Sequence, residues 1–218
     1  MGTDEWDVTG WEEVQLRLAR QAGIAVAESE VLPVAGRHVL LVHRFDRLGD
    51  ERIGFASAIT MLEAADGEHR SYLEIAEVIE RLSPRADADL RELYRRIVFS
   101  ILTANTDDHL RNHAFLRHGR GWVLSPAYDL NPNPDNPARL STAIDLDDTT
   151  AAIEVALSVS GFFRLPPATA RDIVGEVETA TSGWCQAAAG LGIPKSQADR
   201  MALAYESSQR RIARSLGS

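Results

Sequence analysis

The chain has 218 residues, 44% hydrophobic and 25% charged, with a formal net charge of −9. That is sequence for one domain at about 100–200 residues each, and the acidic balance argues against a dominant nucleic-acid surface. Of the 23 basic residues all but Lys195 are arginine, which excludes a mechanism that needs a lysine elsewhere in these residues, and the lone Cys185 excludes an internal disulfide or a cysteine-based metal cluster.

The start, Met1 to Trp6, is acidic and lacks the basic and apolar regions of a signal peptide. No apolar run reaches the roughly 20 residues of a membrane span, so a cytoplasmic protein is expected. Thr9 to Gly23 is expected as a helix, with Thr9 and Glu12 at capping-box spacing and Trp11, Val14, Leu18 and Ala22 as its apolar stripe. Ser29 to Val34 and Arg37 to Phe45 read as strands around a Val34-Ala35-Gly36 turn, the second apolar enough to be well buried. Ile53 to Leu62 reads as a short helix. Ser71 to Leu82 follows as another, capped by Ser71 and Glu74.

Asp89 to Ala104 carries the strongest helical pattern, with Leu90, Leu93, Tyr94, Ile97, Val98, Ile101 and Leu102 on a wide apolar face. Asp89 and Glu92 are expected to cap it, and Arg95-Arg96 to lie on its exposed side. The helix leads into the polar stretch Asn105-Thr106-Asp107-Asp108-His109. His113 to Arg117 and Trp122 to Leu124 form an expected hairpin around Gly119-Arg120-Gly121. Asn131 to Arg139, with three prolines, is irregular, and Asp145, Asp147 and Asp148 are expected to favour the positive end of a following helix. Helices are then expected over 149–159, 167–190 and 195–215. The balance is mostly α with short β elements (α+β), in one compact domain.

Asp107, Asn112 five positions later, a hairpin, and then Asp129 in Ser125-Pro126-Ala127-Tyr128-Asp129 make up the chemical kit of a protein-kinase-type phosphotransferase. The first aspartate accepts the proton of the substrate hydroxyl. The asparagine and the second aspartate hold Mg²⁺, which suits hard oxygen donors. A rival reading gathers Asp107, Asp108, His109, His113 and His118 into a metal-hydrolase cluster. The five-residue separation of His113 and His118 sends them to opposite faces of a strand, against that reading.

Three stretches resemble the HipA family, the Ser/Thr kinase toxins of bacterial toxin–antitoxin modules. They are Asn105-Thr106-Asp107-Asp108-His109-Leu110-Arg111-Asn112, Leu124-Ser125-Pro126-Ala127-Tyr128-Asp129 and His43-Arg44-Phe45-Asp46-Arg47. The resemblance implies a protein-kinase-like C-terminal lobe of HipA type over 1–218, with 1–47 leading to the hinge and 48–218 as the helical catalytic lobe. It implies Asp107 as catalytic base, His109 as a second candidate catalytic residue, Asn112 and Asp129 as Mg²⁺ ligands, and Phe45 and His43 at the ATP hinge. It also implies a protein substrate and a DNA-binding antitoxin as partner, with no direct contact to nucleic acid or membrane by this chain.

Family members carry a Gly-rich phosphate loop and an ATP-positioning lysine in an N-terminal segment, and the chain is expected to begin after both. Two function classes follow. One is the catalytic lobe of a kinase that is a fragment or half of a split enzyme. The other is an inactive kinase-like binding or regulatory protein of a toxin–antitoxin module.

Overall fold

The computed structural model describes residues 6–216. Helix α1 (Val8–Gln21) begins at Asp7, whose carboxylate accepts the Gly10 N–H at 3.1 Å. The expected Thr9 cap does not form; Thr9 Oγ1 instead donates to the His38 carbonyl at 2.8 Å and fastens the next hairpin to the helix. The predicted stripe is buried, but so are Gln15, Leu16 and Ala19, so α1 is covered on more than one side.

Strands β1 (Ser29–Val34) and β2 (Arg37–Val42) pair antiparallel in the register Leu32↔Val39 and Glu30↔Leu41. One face, with Val31 and Leu40, is half-buried towards α1. The other carries Leu32, Val34, Val39 and Leu41, all exposed, with Val34 at 51%. The expectation that the second strand is well buried is therefore wrong. The continuous apolar run Val39-Leu40-Leu41-Val42 suggests burial on both faces, whereas this hairpin has cover on only one side. A short β3–β4 turn (Arg47–Leu48, Glu51–Arg52) follows.

The segment expected as one helix over 53–62 splits into strand β5 (Phe55–Ser57) and a single turn α2 (Ala58–Met61). Pairing decides this: Phe55, Ala56 and Ser57 lie opposite Leu116, Phe115 and Ala114 of β6 (Ala114–His118). A long-range ladder overrides the weak local helical pattern. The hairpin of β6 and β7 (Gly121–Leu124) forms as expected, giving a sheet in the order β5-β6-β7.

Helix α3 (Tyr72–Leu82) has the full Ser71–Glu74 capping box. Helix α4 (Ala86–Thr103) starts earlier than expected, and Asp89 is not its cap. Its buried carboxylate accepts from Ser83 Oγ at 2.7 Å and from the Leu124 N–H at 3.0 Å, and pairs with Arg85 at 2.9 Å. It thus pins the end of the hairpin to the helix. The helix stops at Ala104, which is left-handed at φ 48, so that the Asn105 N–H closes on Ser100 O at 3.0 Å.

Beyond the irregular stretch lie α5 (Ile153–Ser158), a 3₁₀ turn (Ser160–Phe163), α6 (Pro167–Thr181), α7 (Trp184–Gly190), α8 (Lys195–Tyr205) and α9 (Ser208–Leu216). The two longest expected helices are each broken once, at 182–183 and 206–207. The breaks bring Trp184 flat onto Tyr205, with ring centroids 4.8 Å apart, beside Trp11 of α1. Such a pair contributes about 0.5–1.5 kcal/mol beyond the area it buries, comparable to one helical bond lost at a break. The acidic run of 145–148 stays in a loop, where Asp148 accepts the Thr150 N–H, four residues short of the helix it was expected to favour. No helix among the described residues is long and apolar enough to cross a membrane.

Candidate active site

Three tethers bring the sequence-predicted loops together at the exit of α4. Asn105, 3% exposed, accepts the Asn131 N–H at 2.9 Å through Oδ1. The Tyr128 hydroxyl donates to the Arg111 carbonyl. Arg96 reaches from α4 to donate to the Ser125 carbonyl at 2.7 Å while holding Glu92. Arg96 was expected on the exposed side of the helix; it is 5% exposed, and its role is to hold the start of the Asp129 loop. Arg95 likewise is engaged, donating to Ala22 O and Glu176.

Within the loop, neighbouring residues have opposite fates. Asp107 is exposed, and its carboxylate has no hydrogen-bond or ion-pair partner among the described residues. Asp108 is 1% exposed. It accepts from the Tyr72 hydroxyl, from the Ser141 N–H at 2.9 Å and from the Thr142 N–H at 3.4 Å. Thr142 Oγ1 donates to its carbonyl at 2.7 Å, so the loop is clasped from outside by 141–142. Burial pushes its carboxyl up to about 7 despite these bonds, which favour the charged form.

Asn112 donates its amide Nδ2 to the Asp107 carbonyl at 3.0 Å, and its N–H to His109 O at 2.8 Å. The amide is therefore oriented, with Oδ1 left as a free acceptor. His109 is half-buried and its Nδ1 has no partner. Asp129 is exposed and left-handed at φ 54, with Oδ1 accepting from Asn131 Nδ2 at 3.0 Å. Phe45 lies against Tyr128, ring centroids 5.5 Å apart, at the side of this loop. His43 is exposed at the hairpin exit, its N–H bonded to Glu28 O, and its side chain makes no hydrogen bond, ion pair or ring contact among the described residues.

The metal-hydrolase cluster does not assemble. Asp108 is turned inward, and His113 is buried edge-on against Tyr72 at 5.1 Å. Burial, aided by the nearby Arg96 cation, pushes His113 down to about 3, so it is a neutral core residue. Among the described residues no group of three or more His, Cys, Asp or Glu is placed to hold a metal ion. The donor set of Asn112 and Asp129 is different in kind. It is all oxygen, with Asp129 exposed and Asn112 half-buried, and neither is ion-paired among the described residues, which fits a Mg²⁺ that keeps several waters and shares substrate phosphates.

One acidic residue at the site was missed. Glu12 on α1 faces the same loop; burial first, then the charges of Asp129 and Glu13, push its carboxyl up to about 7. It makes no hydrogen bond or ion pair among the described residues. No local signal marked it: in the sequence Glu12 stands at capping-box spacing from Thr9, and its place near Asp129 is set by tertiary packing.

The helical body, the short sheet, and the loop pair carrying Asp107, Asn112 and Asp129 define the class: a protein-kinase-like C-terminal lobe. The chain belongs to the HipA-like C-terminal domain family, whose model matches residues 3–184. In fold it is similar to the HipA toxin of Shewanella oneidensis, solved with HipB and operator DNA, at TM-score 0.72 and 19% identity over 94% of this chain and 55% of that one. It also resembles the proinflammatory kinase CtkA of Helicobacter pylori, at TM-score 0.60 and 11% identity over 100% and 90%. In sequence it is 29% identical over 130 residues to Y4mE of Sinorhizobium fredii and 28% identical over 143 residues to a Haemophilus influenzae protein, both provisionally named kinases. These matches take in 55% and 57% of this chain but only 31% and 42% of the relatives, so the chain spans well under half of their length.

Proposed function

We propose that residues 1–218 form the catalytic lobe of a HipA-type Ser/Thr protein kinase, with 1–47 leading to the hinge, that transfers the ATP γ-phosphoryl group to a protein hydroxyl. The observation that carries this is the contrast inside one loop. Asp107 presents a solvent-facing, unpaired carboxylate, while Asp108, Asn105 and Thr106 are each buried and bonded to hold it there. Asp107 accepts the proton of the substrate hydroxyl as its oxygen attacks phosphorus. His109, two residues on, orients the loop or the phosphate. Asn112 and Asp129 are the residues that would hold Mg²⁺, which supplies charge neutralisation on the phosphates when bound. Phe45, with His43 beside it, flanks the adenine at the hinge.

The Gly-rich loop and ATP lysine of such kinases are not among these residues; Lys195 opens α8. They come from polypeptide outside them, whether on the same chain or another. Two features support a lobe docking at this end. The exposed face of Leu32, Val34, Val39 and Leu41 offers it apolar surface, and the half-buried, unpaired Glu12 offers its lysine an anion, matching the Lys–Glu pair that protein kinases require. A DNA-binding antitoxin is the proposed partner, in the cytoplasm, with this acidic chain making no nucleic-acid contact of its own.

With an N-terminal kinase lobe supplied, [γ-³²P]ATP and Mg²⁺ are expected to yield phosphoserine or phosphothreonine on acid hydrolysis of the labelled protein. Label confined to free phosphate, or none with both lobes present, would contradict the kinase reading in favour of a regulatory protein.

A further inference from the structure

We propose that Asn131 is a positioning residue for divalent metal: it fixes the Asp129 carboxylate, and Asn105 fixes Asn131. This rests on the reading of Asp129 as a metal ligand. The relay begins in the core, where Asn105 Nδ2 donates to Ser100 Oγ of α4 at 3.2 Å. Its Oδ1 accepts the Asn131 N–H at 2.9 Å, and Asn131 Nδ2 donates to Asp129 Oδ1 at 3.0 Å. Three short bonds thus connect a buried helix to an exposed carboxylate.

The chemistry of the last link matters. A lysine or arginine at Asn131 would also hold Asp129, but would neutralise it and repel an arriving cation. An amide N–H takes one lone pair of one oxygen and leaves the charge, and the second oxygen, available. Asn131 is oriented for this at a cost, because its own Oδ1 is buried without a partner. The backbone is set in the same direction. Asp129 is left-handed at φ 54, a conformation open to aspartate but to few other side chains, and it is held there by Asn131 on one side and by Tyr128 on Arg111 and Phe45 on the other. Restraint of a ligand by an outer hydrogen-bond partner is a general device, and removing such a partner costs about 10–100-fold in metal affinity.

The test is Mn²⁺ affinity of the intact chain by electron paramagnetic resonance. Side-chain amide resonances are followed during a parallel Mg²⁺ titration, and thermal unfolding is recorded on each variant. Asp129→Asn is expected to lose binding. Asn131→Ala is expected to weaken it about tenfold with little change in unfolding temperature, and in the wild type the Asn131 amide resonance should move as metal is added. Equal affinity of Asn131→Ala and wild type, where Asp129→Asn has lost binding, overturns the positioning role and leaves Asp129 as a ligand. Equal affinity of Asp129→Asn and wild type, or no wild-type binding at millimolar Mn²⁺, removes Asp129 as a ligand and the inference with it.

Discussion

Asp107 and Asp108 are chemically identical neighbours, and the chain uses them in opposite ways. Asp107 stays in water, while Asp108 is buried among Tyr72, Ser141 and Thr142 as the anchor of the loop. Because burial raises the Asp108 carboxyl from 3.8 to about 7, it binds its proton more tightly folded than unfolded. Its contribution to stability is then complete below about pH 4 and is lost as the pH rises through about 7. Asp108→Asn is expected to flatten the fall in unfolding free energy between pH 4 and 8 by an amount on the order of a few kcal/mol, read from urea titrations at each pH. Glu12 carries the same sign and should leave a residual slope. An unchanged pH profile in Asp108→Asn would show that the buried carboxyl is not raised. The spacing to Asn112 singled out Asp107 as the candidate base, and of the two it is Asp107 that faces solvent. The anchors were not legible: Tyr72 meets Asp108 across 36 positions, Arg96 meets Ser125 across 29, Asn131 meets Asn105 across 26, and Glu12 lies in the first helix, and no local pattern encodes those meetings.

At the scale of elements, apolar periodicity located α1, α3 and α4 well, because each carries apolar residues at helical spacing over several turns. It failed where a distant partner decided the outcome. β5 is a strand because β6 lies beside it, and the C-terminal helices break so that Trp184 and Tyr205 can stack on Trp11. The β6–β7 hairpin must also approach the end of α3 closely. A Cβ on Gly121 would stand 2.5 Å from Leu82 O and 2.9 Å from Pro84 Cδ. Gly121→Ala is therefore expected to destabilise the fold by about 1–3 kcal/mol, seen as a lower denaturant midpoint with an unchanged slope. Its effect on the site should be indirect, through the hairpin that joins the Asn112 and Asp129 loops. A midpoint equal to wild type would mean that the hairpin shifts freely and does not set the spacing of those loops.

At the scale of the whole molecule, the hydrophobic content supports a large core, yet the first hairpin keeps one apolar face uncovered and α1 keeps Glu12 unpaired beside Asp129. Both features sit at the end of the molecule where the family resemblance expects a nucleotide-binding lobe. Composition showed that Lys195 is the single lysine, and the resemblance implied an ATP lysine elsewhere; neither showed that the first hairpin would leave an apolar face open. The measurement that bears most directly on the catalytic reading separates binding from chemistry at Asp107. With the N-terminal lobe supplied, ATP affinity and single-turnover phosphoryl transfer are compared for wild type and Asp107→Ala. The account predicts unchanged ATP affinity with transfer slowed about 10²–10⁴-fold, the range for loss of a general base. Transfer at the wild-type rate in Asp107→Ala would contradict it.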